Sequence, residues 1–483
     1  MIEINNVSFS YGEGEKNNFI KNLSISIPKG QVVVLCGESG CGKTTVTRLI
    51  NGLIPNFFKG NLSGSVTVDG VDITKKPLYE IAENTGSVFQ NPRSQFFNVD
   101  TDSELSFALE NLGFPKEEIV ARVDTTVRDF KIERLLGKSL FKLSGGEKQI
   151  IACASVSVAT PDIIILDEPS SNLDTRHIAI LKDIIKNWKE QGKTVVISEH
   201  RLYYLADIAD RFICLDKGSV LFDLPKNELE KHDNENLNKM GLRTLNPFKL
   251  TYVGSEIETK NTLILKDFIF SYKNEEKCLN IKELIVPKGE VIGIIGTNGT
   301  AKSTFGRSIC GLEKVGTLTD GTHTLSHKDR LKSCYMVMQD VNHQLFTETV
   351  SDELAISMAE HNEENILTIL DSLSLSKHKD RHPMSLSGGE KQRVAIATAI
   401  ATDREYIIFD EPTSGLDFKH MGEVAERINS LKQAGKTVFV ITHDIELIYQ
   451  CCNYIIHIEN GQVANQFNIN NETFKDLIEL FSV

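Results

Sequence analysis

Val32-Val33-Val34-Leu35-Cys36-Gly37-Glu38-Ser39-Gly40-Cys41-Gly42-Lys43-Thr44-Thr45 runs from an unbroken apolar stretch through a glycine-rich turn into a lysine and two threonines. The apolar part has strand length and suits a strand covered on both faces. The stretch from Thr45 to Leu53 reads as a helix. Between them lies G-x-x-x-x-G-K-[ST], whose glycines let successive backbone N–H groups turn inward as a nest for an anion. The helix that follows aims its N-terminus at the same anion. Lys43 would reach the β- and γ-phosphates, and the Thr44 hydroxyl would hold Mg²⁺. Gly37, Glu38, Ser39, Gly40, Cys41, Gly42, Lys43, Thr44 and Thr45 are therefore the expected nucleotide contacts. A tight glycine turn before a helix is the blander alternative, but it leaves the lysine and threonine without a purpose.

The chain is written twice. Leu143-Ser144-Gly145-Gly146-Glu147-Lys148-Gln149 recurs 243 residues later as Leu386-Ser387-Gly388-Gly389-Glu390-Lys391-Gln392. Asp167-Glu168-Pro169 and His200 recur at the same offset as Asp410-Glu411-Pro412 and His443. Such a shared register means duplication. Upstream the offset grows, so the first half carries extra residues, mainly around 57–63, where a loop is expected to absorb them. The second glycine-rich turn is Gly296-Thr297-Asn298-Gly299-Thr300-Ala301-Lys302-Ser303, followed by Thr304, and these residues are its expected contacts. Ala301 stands where the motif wants glycine. With helical dihedrals there the alanine would be harmless, so retained binding is expected. Short buried strands such as Ile163–Leu166 and Thr194–Ile197 alternate with helical patterns, among them Ile119, Val123 and Val127 after Pro115. This argues for an α/β fold with a largely parallel sheet.

With 483 residues, two or three domains can each bury a core. The formal charge of −13 disfavours a nucleic-acid or ribosome-binding surface. Nine cysteines without a C-x-x-C pair suit a reducing cytosol and give no support to a zinc site. The opening Met-Ile-Glu-Ile-Asn-Asn is no basic segment leading into an apolar one, so a signal peptide is not expected. The aliphatic runs fall far short of the roughly 20 residues that span a bilayer. Work at a membrane would need another chain to do the spanning.

Asp167-Glu168 and Asp410-Glu411 each end an apolar strand. The first acid of each pair can bind a Mg²⁺-coordinated water, and the second can take the proton from an attacking water. The same pair precedes a lone histidine at matched spacing in both halves, which favours a γ-phosphate contact for His200 and His443 over simple packing. Gln90 and Gln339 end apolar stretches, and an amide can accept from a Mg²⁺-bound water while donating to phosphate. The metal set is then Thr44, Gln90 and Asp167, with Ser303, Gln339 and Asp410 in the second half. Tyr11 and Tyr272 each follow a serine near the start of a half. They read as adenine-stacking platforms or as ordinary turn tyrosines.

Leu143–Gln149 and Leu386–Gln392 resemble the signature motif of ATP-binding-cassette ATPases, and with the other paired motifs the resemblance covers essentially the whole chain. It implies two P-loop NTPase domains in tandem, each with a mixed, largely parallel sheet and a helical subdomain, binding and hydrolysing ATP with Mg²⁺. The expected domains are 1–227 and 259–483, joined by a connector at 228–258. By the same resemblance, Ser144, Gly145, Gly146 and Glu147 would close over nucleotide held by Lys302, and Ser387, Gly388, Gly389 and Glu390 over nucleotide held by Lys43. Ala301, Ile150 (Arg393 in the other half) and Asn172 (Gly415 in the other half) all fall on the Lys302–Ser144 side. The Lys43 side departs only at Arg201, where the second half has Asp444, so it is expected to be the faster site.

Gln90-Asn91-Pro92-Arg93-Ser94-Gln95-Phe96-Phe97 and Gln339-Asp340-Val341-Asn342-His343-Gln344-Leu345-Phe346 both place a second glutamine five residues on. This pattern, with Glu199-His200-Arg201-Leu202, resembles the ATPase subunits of energy-coupling-factor importers and of related cobalt and nickel systems. That implies an integral membrane scaffold subunit and a membrane substrate-binding subunit as partners, with the chain peripheral at the cytoplasmic face. Scaffold helices would dock beside Gln90 and Gln339. Asp100, Asp102, Glu104, Asp352 and Glu353 would meet basic residues there, or else simply favour helix N-termini. The alternatives are an ATPase of sugar or peptide importers and a soluble translation factor of the same superfamily. The latter usually carries a long basic inter-domain segment, whereas residues 226–260 are short and charge-balanced.

Overall fold

The computed structural model describes residues 1–12, 19–171, 173–252, 257, 261–272 and 278–481. The chain forms two compact units, Met1–Asn246 and Pro247–Ser482. In the first, a six-stranded sheet runs in the order Ser219–Pro225, Arg211–Asp216, Val32–Cys36, Thr194–Ser198, Ile163–Asp167, Thr85–Val88. Only the Ser219–Pro225 edge strand is antiparallel to its neighbour. A second, antiparallel sheet orders Ile20–Ile27, Ile2–Tyr11, Gly60–Val68 and Val71–Asp72.

The opening strand explains this layering. Val32, Val34 and Cys36 join the core beneath helix Thr175–Glu190 and the helical subdomain. Val33 and Leu35 face the other way, toward Val46, Leu49 and Ile50 of helix Lys43–Ile50 and the residues of the antiparallel sheet. A strand with two apolar faces needs cover on both. The helix therefore lies between the two sheets. The subdomain consists of helices Thr101–Asn111, Lys116–Phe130 and Gly145–Ser157. Val127 is buried on the first half's core, with Ile119 and Val123 packed beside it.

The second unit repeats the plan. Its six-stranded sheet orders Cys334–Val337, Tyr406–Asp410, Thr437–Ile441, Val291–Ile295, Tyr454–Glu459 and Gln462–Asn468, and it too is parallel except at the last strand. The α/β, mixed and largely parallel architecture read from the sequence is the one present.

Three details differ from the sequence reading. Helix Lys43–Ile50 stops short of Leu53, because Gly52 turns left-handed (φ 72°), where a Cβ would lie 2.3 Å from Ile81 Cδ1. The extra residues near 57–63 are only partly loop: Gly60, Asn61, Leu62 and Ser63 pair with Tyr11, Ser10, Phe9 and Ser8, lengthening a strand whose counterpart is only Thr317–Thr319. Finally, the division at Asn246 falls inside the stretch expected as connector. Helices Lys226–Leu229 and Asn234–Lys239 precede it, and Leu229, Leu237, Leu242 and Leu245 are buried in the first half's core. These four leucines pack the stretch onto the core although the residues between them are largely polar.

Candidate nucleotide sites

Each glycine-rich turn lies between a central parallel strand and the helix sandwiched by the two sheets. Gly37, Gly40 and Gly42 have φ of 129°, 78° and 114°. At Gly37 a Cβ would lie 2.3 Å from Leu215 O, so no side chain fits there. Lys43 Nζ folds back over the turn, donating to Gly37 O (3.0 Å) and Glu38 O (3.1 Å). Lys302 repeats this with Gly296 O and Thr297 O, each at 2.8 Å. Gly296 and Gly299 are likewise left-handed, and Thr300 Oγ1 donates to Thr297 O at 2.8 Å.

Ala301 does not have the helical dihedrals expected of it. Its φ of 71° and ψ of 21° place it in the left-handed region, where it is the N-cap of helix Lys302–Ile309. The preceding turn dictates that conformation, as it does for Gly42. The methyl group nevertheless leaves the cradle clear. A Cβ at Gly42 would meet Ile20 Cδ1, and Ala301 packs on the core cluster that contains Leu279, the Ile20 counterpart.

The carboxylates converge on this turn. Thr44 Oγ1 donates to Asp167 Oδ1 (3.2 Å), and Ser303 hydrogen-bonds Asp410. Burial, and then the neighbouring Glu168 charge, pushes the Asp167 carboxyl up to about 6; burial raises Asp410 as well. A hydroxyl beside a buried carboxyl group is an oxygen donor set suited to a hard divalent cation. Glu168 and Glu411 are themselves left-handed, with φ of 46° and 51°, a strain that persists only where neighbours hold it. Backbone hydrogen bonds do so, from Glu168 N to Ser198 O and from Glu411 N to Ile441 O. Gln90 Nε2 donates to Glu168 Oε2 (2.6 Å), and His200 Nε2 lies 3.4 Å from Glu168 Oε1. In the second half His443 Nε2 lies 3.5 Å from Glu411 Oε1 and 3.2 Å from Asn298 Oδ1. Gln339 is exposed, and among the described residues no matching contact joins it to Glu411.

Tyr11 and Tyr272 stand at the rim of each turn. Their hydroxyls meet Thr45 Oγ1 and Thr304 Oγ1, both at 3.1 Å, and accept from Arg48 and Arg307. Tyr11 is held edge-on by Phe9, Phe19 and Phe58, and Tyr272 by Phe270.

Ser144 and Ser387 are the N-caps of helices Gly145–Ser157 and Gly388–Ala401, closed by full capping boxes with Glu147 and Glu390. The structure thus gives both glutamates a local task beside the one expected of them. Gly146 is tightly packed, since a Cβ would lie 2.3 Å from the His177 ring, whose Nδ1 is 2.5 Å from Asp174 Oδ1. Asn172 lies outside the described residues.

The second glutamine of each pair braces its loop. Gln95 Oε1 accepts from Phe89 N and Gln344 Oε1 from Met338 N, both at 3.1 Å. The five acids, expected either to meet basic residues of a partner or to favour helix N-termini, all accept hydrogen bonds within their own half. Glu104 accepts from Phe97 N and Asn98 N, and Glu353 from Phe346 N and Thr347 N. Asp102 accepts from Gly137 N, Asp100 caps its helix and Asp352 accepts from Thr349 Oγ1. Among exposed polar neighbours such as Arg93 and His343, these loops also present apolar side chains: Phe97 and Phe346 are 77% and 75% exposed, with Phe141 and its counterpart Met384 also exposed. Sequence reasoning missed these residues, although the paired Phe97/Phe346 position was a visible signal. It also missed His177 and Glu199.

The ABC transporter family model matches residues 20–171 and 279–414, more than half the chain. A Treponema denticola protein named as an ABC transporter ATP-binding protein is 44% identical over 475 residues, covering 96% of this chain and 97% of its own. A similarly named protein of Lactobacillus johnsonii is 32% identical, covering 96% of this chain and 89% of its own. A crystal structure of an archaeal ribosome recycling factor with a ribosomal stalk protein superposes with a TM-score of 0.68 over 98% of this chain and 92% of that one. At 22% identity, that likeness is one of fold. The chain belongs to the ABC transporter family, as an ATPase with two ABC domains in tandem.

Proposed function

We propose that this ATPase energises a membrane importer of energy-coupling-factor type, carrying a vitamin, vitamin precursor or metal ion. The observation that carries the reading is the braced Gln-x-x-x-x-Gln loop, built alike in both halves and presenting Phe97 in one and Phe346 in the other to solvent, with Phe141 and Met384 exposed as well. Exposed apolar residues at matching places in two halves suit two similar apolar helices of a membrane scaffold subunit. No helix among the described residues is long and apolar enough to cross a membrane, so the spanning falls to that scaffold and to a substrate-binding membrane subunit. The chain then sits peripherally at the cytoplasmic face.

In this reading each ATP is held by one half's lysine turn, with Tyr11 or Tyr272 against adenine, and closed over by the other half's signature helix. Thr44, Asp167 and Gln90 would hold Mg²⁺ in one half and Ser303, Asp410 and Gln339 in the other, where the ion would supply positive charge beside the phosphates. Glu168 and Glu411 take the proton of the attacking water, His200 and His443 orient the γ-phosphate, and the turns' backbone N–H groups position the rest.

Affinity purification of the full chain from solubilised membranes tests the proposal. Co-purifying integral membrane proteins, lost in a Phe97→Asp/Phe346→Asp variant, are expected. Co-sedimentation with ribosomes and no membrane partner would overturn it.

A further inference from the structure

The segments around His200 and His443 are built differently in the two halves. After His443, Asp444 caps helix Ile445–Cys451 and accepts from Thr413 Oγ1 at 2.8 Å. Thr413 sits two residues beyond Glu411, so this carboxylate ties the loop behind the acid to the loop behind the histidine. In the first half Arg201 replaces Asp444, the cap is lost and residues 201–207 form no helix. The carboxylate has moved to the other side of the histidine, where Thr442 stands in the second half. Glu199 is 2% exposed and accepts from His200 N (2.7 Å), Arg201 N (3.2 Å), Tyr204 Oη (2.9 Å) and Ser170 N (3.3 Å). Ser170 is the counterpart of Thr413. Arg201, also buried, grips the same loop from its far end, with Nη1 near Ser170 O and Leu173 O.

We infer that Glu199, with Arg201, is the positioning residue of the first ATP site: it fixes the His200 backbone to the loop following Glu168, the job done by Asp444 in the second half. The inference rests on the assignment of His200 to the γ-phosphate. A buried carboxylate with four donors from two segments, its own run at 200–204 and the loop at Ser170, ties Ser170 to His200 and Arg201. In the second half Asp444 makes both the cap and the tie, and Thr442 Oγ1, at the Glu199 position, accepts from Asp444 N (3.0 Å).

The test measures ATP turnover of the full chain in a Glu411→Gln background, so that the remaining activity belongs to the first site, with thermal unfolding followed alongside. Glu199→Ala is expected to lower kcat about tenfold to a hundredfold with KM for ATP within about twofold, as expected for a mispositioned group. The relocation variant Glu199→Thr/Arg201→Asp, which rebuilds the second half's arrangement, is expected to recover most of kcat. A purely structural role would lower the unfolding temperature and leave kcat per folded molecule unchanged, and that result overturns the inference. So does a relocation variant as slow as Glu199→Ala at equal stability. His200→Ala separates the two levels. If it leaves turnover intact, the histidine assignment fails; if it abolishes turnover while Glu199→Ala does not, only the positioning role fails.

Discussion

Ala301 carries the largest difference between the two lysine turns, and its consequence is energetic before it is chemical. A left-handed alanine costs roughly 1–2 kcal/mol relative to a right-handed one. Ala301→Gly removes that strain but returns roughly 0.4–1 kcal/mol to the unfolded chain's entropy. The net expectation is a gain of about 0 to 1.6 kcal/mol, read as a small rise in unfolding temperature, with ATP affinity within about twofold because the alanine packs on the core. The reverse change is worse. At Gly42, φ is 114° and a Cβ would lie 2.7 Å from Ile20 Cδ1, so Gly42→Ala is expected to cost about 2 kcal/mol or more. Equal effects of the two substitutions in chemical denaturation would contradict this. The lysine, hydroxyl, acid and histidine positions were legible because spacing alone specifies them. The dihedral of Ala301 was not, since the turn before it sets that angle and composition does not report it.

Among the elements, the two signature helices are the most tightly specified. In each, a serine and a glutamate satisfy one another's backbone donors. Burial pushes Glu147 and Glu390 upward, but hydrogen bonds from Ser144 and Ser387 outweigh it, holding both below the ordinary 4.5. A carboxylate lowered in the folded state contributes stability above its unfolded pKa and loses it as pH falls through the folded one. Amide protection at the first turns of these helices should therefore weaken below about pH 4.5, with the middle turns retained. Glu147→Ala is expected to cost about 1 kcal/mol and to flatten that pH dependence in the first half alone. Unchanged protection would contradict the capping-box account. The parallel strands were readable as elements because both their faces are apolar. The lengthened strand at Gly60–Val68 was not, since its outer residues are polar and only pairing with Ile2–Tyr11 orders them. The helices before Asn246 were hidden for a similar reason: four leucines do the packing within a stretch that reads as polar.

At the scale of the molecule, duplication gives one chain two lysine turns, and in the proposed pairing of each turn with the other half's signature helix the departures from symmetry sort by site. Ala301 strains the second turn, Ile150 stands where Arg393 holds Leu373 O in the other half, and Gln90 donates to Glu168 Oε2. Turnover is expected to fall more in Glu168→Gln than in Glu411→Gln, by about tenfold or more, since loss of a general base typically costs 10²–10⁴-fold at the site it serves. Equal losses would defeat the asymmetry. The central claim is that each lysine turn works with the signature serine of the other half. It is tested most directly by steady-state ATP turnover in the Glu411→Gln background, comparing Ser387→Ala with Ser144→Ala. The account predicts that Ser387→Ala removes most of the remaining activity while Ser144→Ala leaves it within about twofold, as expected when only one serine donates to the transition state. Loss with Ser144→Ala and none with Ser387→Ala would contradict it.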